Sequence, residues 1–170
     1  MDTPPVTAER IGIAKDFGLW NVDDAAIACR EAGLPFWAAC ALLQKESMGR
    51  NVYGHDEGGA LAGFPHEVNF DNWLVFEWLI TMEGQTSNGV GPTQITWKGF
   101  FFDMERKGLK PWVPLDNMEY GFGLLASLRE AEGTWEKAGT RYNGRESYGA
   151  DFLVKCREWK QRLGVKGAIE

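Results

Sequence analysis

A mainly helical single domain is the fold class this sequence predicts, on three observations. Apolar residues recur at helical spacing through most of the 170 residues. No stretch alternates apolar and polar side chains over five residues without slipping into that spacing, so strand signals are poor. Glycines gather in two clusters, within 49–63 and 84–91, which have the character of loops. The length fits one domain, and a chain of this size buries about 70% of its unfolded surface without disulfides or metal.

Taken in order, helices are expected over residues 6–17, 23–32 and 35–47. The third opens at Pro35, whose missing N–H costs nothing in a first helical turn. The segment from 51 to 69 leaves room for a short β-hairpin in the loop after Glu46. Helices follow over 71–82, 96–106, 116–132, 134–142 and 148–163, about eight in all. In the last, Phe152, Leu153, Cys156, Trp159 and Leu163 recur at helical spacing with Lys155, Arg157, Glu158, Lys160 and Arg162 between them, and Gly164 closes it. No repeat, low-complexity tract or linker interrupts the pattern. Two long loops flank the helix that ends near Glu46, and loops of such length in compact domains usually serve function.

Composition narrows the classes. With 44% apolar and 25% charged residues the chain has an ordinary soluble composition. No apolar run approaches the roughly 18 residues of a membrane span, so no membrane insertion is expected. A net charge of -6 with no Lys/Arg cluster argues against nucleic acid, whose binding rests on phosphate neutralisation. Met1-Asp2-Thr3-Pro4-Pro5 lacks the basic and apolar regions of a secretory signal, so synthesis in the cytoplasm is expected, with export by another route if the protein leaves. Cys29, Cys40 and Cys156 form no CxxC pair, lie among apolar neighbours and are expected to be reduced and packed in the core.

Glu46 stands at the end of the apolar run Leu42-Leu43-Gln44-Lys45, just before a glycine-rich loop. A carboxyl half out of water there has its charged form disfavoured, which raises its pKa toward that of a general acid at neutral pH; a solvated helix-end glutamate is the alternative. Three segments share a further character: Glu46-Ser47-Met48-Gly49-Arg50-Asn51-Val52-Tyr53-Gly54, Gly89-Val90-Gly91-Pro92-Thr93-Gln94-Ile95-Thr96-Trp97, and Arg141-Tyr142-Asn143-Gly144 with Tyr148-Gly149. Each combines glycines, which admit close backbone approach, with amides, hydroxyls and aromatic rings that suit sugars. Any one of them alone is also compatible with a simple turn.

In this order the segments resemble the lysozyme-like superfamily of lytic transglycosylases and goose-type lysozymes. There a helix-ending Glu-Ser is followed by a Gly-Leu-Met-Gln-Ile-like and then an Ala-Tyr-Asn-Ala-Gly-like segment. Glu46-Ser47, Gly91-Pro92-Thr93-Gln94-Ile95 and Arg141-Tyr142-Asn143-Gly144 are the counterparts, and the likeness covers about residues 36–160. It implies a lysozyme-like helical fold and cleavage of the β-1,4 bond between N-acetylmuramic acid and N-acetylglucosamine, with Glu46 as general acid. Gln94 would contact the glycan and Tyr142 would orient Glu46, while Ser47, Tyr53, Trp97 and Asn143 are further candidates for substrate binding. It implies bacterial peptidoglycan as partner, no cofactor and no metal. Pro92-Thr93 departs from the usual Leu-Met, and the stretch between Glu46 and Gln94 is longer than in common members. That stretch carries His55-Asp56-Glu57, His66-Glu67 and aromatic residues from Trp73 to Trp78.

Inverting hydrolysis needs a second carboxylate roughly 6.5 to 9.5 Å from the acid to activate water. Asp56 is the first candidate, with Glu57 and Asp71 behind it, and a solvated loop aspartate is the alternative. With no such carboxylate, the resemblance implies attack by the sugar's own 6-hydroxyl and a 1,6-anhydro product. A zinc peptidase or amidase is the competing enzyme class, although His66-Glu67 lacks the second histidine of HExxH. A cysteine-histidine peptidase would need an activated thiol, whereas Cys40 is expected to face the core. A glycan-binding module without turnover is the non-enzymatic alternative; the eight tryptophans would permit it, though most fall on apolar helical faces. The absent signal together with wall-cleaving motifs suggests the catalytic domain of a bacteriophage endolysin. Such a protein is made in the host cytoplasm and reaches the wall after membrane permeabilisation. A monomer is expected, and any wall-binding domain would lie elsewhere in a longer protein.

Overall fold

The computed structural model describes residues 5–61 and 67–169. They form α1 (Ala8–Asp16), α2 (Val22–Glu31), α3 (Phe36–Glu46), α4 (Phe70–Thr81), α5 (Lys98–Arg106), α6 (Pro114–Glu132), α7 (Trp135–Asn143) and α8 (Glu146–Arg162). All eight expected helices are present, with ends displaced by no more than two residues. Local capping explains the displacements. The Thr7 hydroxyl accepts from the Arg10 N–H, so α1 starts after it. Asn69 and Asn72 form a reciprocal capping box that starts α4 one residue early. Pro114 takes the first position of α6, where no N–H is needed.

The expected hairpin after Glu46 is not formed among the described residues. Val52 meets Glu67 in one isolated antiparallel bridge; two further bridges join the loop to a distant segment, Tyr53 to Val90 and Gly59 to Thr86, and a fourth pairs Val90 with Ile95 within that segment. Two strands in isolation are marginal, and here the backbone finds its partners in the second glycine-rich loop instead. Asn51 substitutes for part of a ladder, its Nδ2 donating to the carbonyls of Val68 (2.8 Å) and Trp112 (3.0 Å).

Burial follows the residue pattern of each helix. Every residue of α3 from Phe36 to Leu43 is buried, as expected of a helix apolar all round. It lies against α2 and α8, and α6 and α7 close the same core. A second core packs Trp73, Phe76 and Ile80 of α4 on Phe101 and Met104 of α5, with Tyr53, Val90 and Ile95 contributed by the loops. The cysteines lie buried and unpaired, and burial lifts the Cys29 thiol to about 11. Trp37, Trp73, Trp135 and Trp159 are core residues, whereas Trp20, Trp78 and Trp97 are more than half exposed. Phe70, Leu74, Val75 and Trp78 of α4, with Met82 just after it, are exposed. No helix among the described residues is long and apolar enough to cross a membrane.

The α7–α8 corner, which later proves to hold the site together, depends on one close approach. A Cβ on Gly149 would stand 2.1 Å from the Thr140 Oγ1 and 2.3 Å from the Glu136 carbonyl oxygen. Gly149→Ala should therefore destabilise the protein by about 3 kcal/mol, because a backbone carbonyl cannot swing aside. An exposed helical glycine would instead gain up to about 1 kcal/mol from the same change, so urea denaturation distinguishes the two by sign.

Candidate active site

The three glycine-containing segments meet where α3 ends. Backbone bonds run from the Gly54 N–H to the Gly89 carbonyl (2.7 Å) and from the Gly91 N–H to the Val52 carbonyl (3.0 Å). The Ser47 hydroxyl donates to the Pro92 carbonyl at 2.8 Å, and the Tyr142 hydroxyl donates to the Thr93 carbonyl at 2.8 Å. Asn117 of α6, fully buried, accepts from the Thr93 N–H (3.0 Å) and hydroxyl (2.8 Å) and donates to the Val90 carbonyl (3.0 Å). Asn88, equally buried, donates to the Gly54 carbonyl and accepts from the Leu61 N–H. Buried loop backbone needs such partners, and these side chains supply what a sheet would otherwise provide.

The result is an open cleft of about 460 Å³ whose lining includes Glu46, Asp56, Gln94, Trp97, Tyr142 and Asn143. Burial lifts the Glu46 carboxyl to about 7; the Tyr148 hydroxyl bond and nearby Lys45 oppose that rise, and the charge of Asp56 adds to it. Tyr148 donates its hydroxyl to Glu46 Oε1, and burial followed by the Glu46 charge pushes its own pKa far up, so it stays a proton donor to the carboxylate. Lys45 is held between Asp151 (3.3 Å) and the face of the Tyr148 ring (4.4 Å). A carboxyl poised near 7 can give up a proton at neutral pH, which is what a general acid must do.

Sequence-predicted residues sort into three groups. Glu46, Asp56, Gln94, Trp97, Tyr142 and Asn143 do line one cleft. Asp56 is exposed, and its Oδ2 accepts from the Gly89 N–H at 2.7 Å, which holds the carboxylate at the cleft. Trp97 is 63% exposed and its ring meets that of Phe100 edge-on at 4.9 Å, leaving an aromatic face open to a ligand. Gln94 and Tyr142 are present but occupied. Gln94, at φ +51, donates its Nε2 to the carbonyls of Val52 (2.9 Å) and Gly91 (2.8 Å), and its Oε1 lies where a Cβ on Gly54 or Gly89 would come within 2.5 Å. Tyr142 lines the cleft near Glu46, but its hydroxyl goes to Thr93, and Tyr148 is the residue that orients the acid.

Ser47 and Tyr53 are corrections. Neither is among the residues that line the cleft. Ser47 ties the helix end to the second segment. Tyr53 is 3% exposed, packs its ring 5.0 Å from Phe76 and donates to Asn72 Oδ1, because an apolar ring beside the second core gains more from burial than from solvent. Tyr148 and Asn117 were missed. The first stood in the third segment beside Gly149; the second was a polar residue on the apolar face carrying Met118 and Phe122, a pattern that marks a buried amide.

A raised carboxyl pKa alone does not single out the cleft. Glu77 on α4 also rises to about 7, through burial and the adjacent Glu105 carboxyl, yet it lies away from the cleft. A hollow of about 530 Å³ beside α5 and α6 is roomier, but Lys107 holds its Asp103 down at about 2. His66 lies outside the described residues; among the described residues no three His, Cys, Asp or Glu side chains cluster to hold a metal ion.

The Glu46 shift also sets a stability trend. Its folded pKa is raised from an ordinary 4.5 to about 7, so the folded state keeps a proton that the unfolded chain has released across that interval. Stability tied to this proton is present below pH 4.5 and is lost as pH rises through 7. Glu46→Gln, which stays neutral and can still accept from Tyr148, should be about 2 kcal/mol more stable than wild type near pH 8.5 and similar near pH 4, as measured by urea denaturation at the two pH values. Compared with known protein families, curated proteins and solved structures, the chain finds no match.

Proposed function

We propose that the protein cleaves the glycan strands of bacterial peptidoglycan between N-acetylmuramic acid and N-acetylglucosamine, with Glu46 as the general acid. The observation that carries this reading is a carboxyl lifted to about 7 in an open cleft that also offers an exposed tryptophan face and the polar edge of Asn143. The order of the Glu46, Gln94 and Tyr142 segments, which meet in the folded chain, supports it. A protonated Glu46 would donate to the glycosidic oxygen as the bond breaks, and Tyr148 would hold the carboxylate that remains. Trp97 would cover the apolar face of a sugar ring, and Asn143 would bond its substituents.

Asp56 would be the base that activates water on the hydrolytic route. It lines the same cleft, and its charge acts on Glu46. Transglycosylation needs no such base, so the two routes part at this residue. On either route the protein would serve bacterial cell lysis, as the catalytic domain of a phage endolysin does.

Purified peptidoglycan and mass spectrometry test the reading. Wild type should release muropeptides, with activity falling as pH rises through 7 and Glu46 loses its proton. Glu46→Gln should lower turnover at least about 100-fold; near wild-type turnover in that variant rejects the assignment. Reducing muramic ends whose formation collapses in Asp56→Asn mean hydrolysis, whereas 1,6-anhydro ends that survive the change mean transglycosylation.

A further inference from the structure

Arg145 is the single cation among the described residues that line the cleft, where Glu46 and Asp56 are the acids. It pairs with neither. Glu46 is engaged by Tyr148, Asp56 by the Gly89 N–H, and the Arg145 guanidinium has no hydrogen-bond or ion-pair partner among the described residues. An exposed arginine that lines the same cleft as two acids and is bonded to neither is a donor fork left open to solvent.

Its position is tightly determined. Gly144 ends α7 at φ +86, and Arg145 caps α8, its carbonyl accepting from the N–H groups of Tyr148 (3.1 Å) and Gly149 (3.3 Å). Arg145 sits at the first turn of α8, three residues before the Tyr148 that donates to Glu46, and it lines the same cleft as that carboxyl. The tight α7–α8 contact at Gly149 keeps that turn from shifting.

We infer that Arg145 is a specificity residue that binds a carboxylate carried by the substrate next to the bond being cut. The inference rests on the glycosidase reading and sharpens it, since a neutral sugar chain offers a guanidinium hydrogen-bond acceptors but no negative charge to pair with. Arginine matches a carboxylate through two parallel N–H···O bonds, which fixes orientation as well as adding attraction. A muramic acid residue carries such a group in either of two forms, the free carboxylate of its lactyl arm or the carboxylates of the peptide attached to that arm. Bound there, the group would set which sugar of the strand lies beside Glu46.

The test measures KM and kcat on peptide-bearing glycan strands and on the same strands after an amidase has removed the peptides and freed the lactyl carboxylates. Arg145→Gln should raise KM about tenfold, equivalent to about 1.4 kcal/mol, with kcat within twofold. Arg145→Lys should restore part of the loss, and added salt should shrink the difference between wild type and Arg145→Gln. A loss confined to the peptide-bearing strands assigns the peptide carboxylate, and one confined to the stripped strands assigns the lactyl carboxylate. Unchanged KM on both substrates overturns the inference. So does a loss in kcat that neither lysine nor salt alters, which would mark Arg145 as merely holding the start of α8. If wild type cuts neither substrate, the glycosidase reading fails first and takes this inference with it.

Discussion

The chemistry of the cleft depends on the desolvation of one carboxyl. Glu46 ends a helix that is buried on all sides for its first eight residues, so its half-buried carboxyl faces the cleft rather than open solvent. Burial drives its pKa up, and two neighbours limit the rise. Tyr148 donates to the charged form, and Lys45 stands near with its own charge already shared between Asp151 and the Tyr148 ring. A fully exposed glutamate would have lost its proton by neutral pH, and one buried without these neighbours would hold it too tightly to give it up.

That balance lasts only if the surrounding loops stay in place, and they do so with almost no regular sheet. Asn88, Asn117, Gln94, Ser47 and Tyr142 each give polar side-chain atoms to loop backbone rather than to solvent, and the Thr93 hydroxyl goes to Asn117. Most of these groups lie buried or half-buried, where an unpaired donor or acceptor would cost about 1–3 kcal/mol. Residues that looked like substrate contacts from their chemical type therefore serve as cross-braces. The groups left facing the cleft are fewer: the acid, Asp56, the Trp97 face, Asn143 and Arg145.

Charge adds a second constraint. The chain is acidic overall, yet the corner where α7 turns into α8 presents an arginine to a cleft that holds two carboxyls. On the proposed reading, with Glu46 protonated, Asp56 and Arg145 would leave that surface close to neutral. An anionic glycan would then approach locally even though the molecule is acidic as a whole, because repulsion from distant exposed charges is screened beyond about 8 Å at physiological salt.

Helix number and position were legible in the sequence because apolar periodicity is a local property: α3 declared itself by its unbroken apolar run and α8 by its alternating faces. The setting of Glu46 was legible for the same reason, since an apolar helix ending at a glycine-rich loop half-buries its last carboxyl wherever the rest of the chain goes. What the tertiary structure alone decided was the assignment of partners. Tyr142 and Tyr148 are six residues apart with similar neighbours, and only the packing of α7 on α8 through Gly149 sends Tyr148 to Glu46 and Tyr142 to Thr93. Tyr53 went to the core and Asn117 into the loop network through contacts with residues far away in sequence. Periodicity says which side of a helix is apolar; which polar atom completes which bond depends on three-dimensional neighbours that local sequence does not encode.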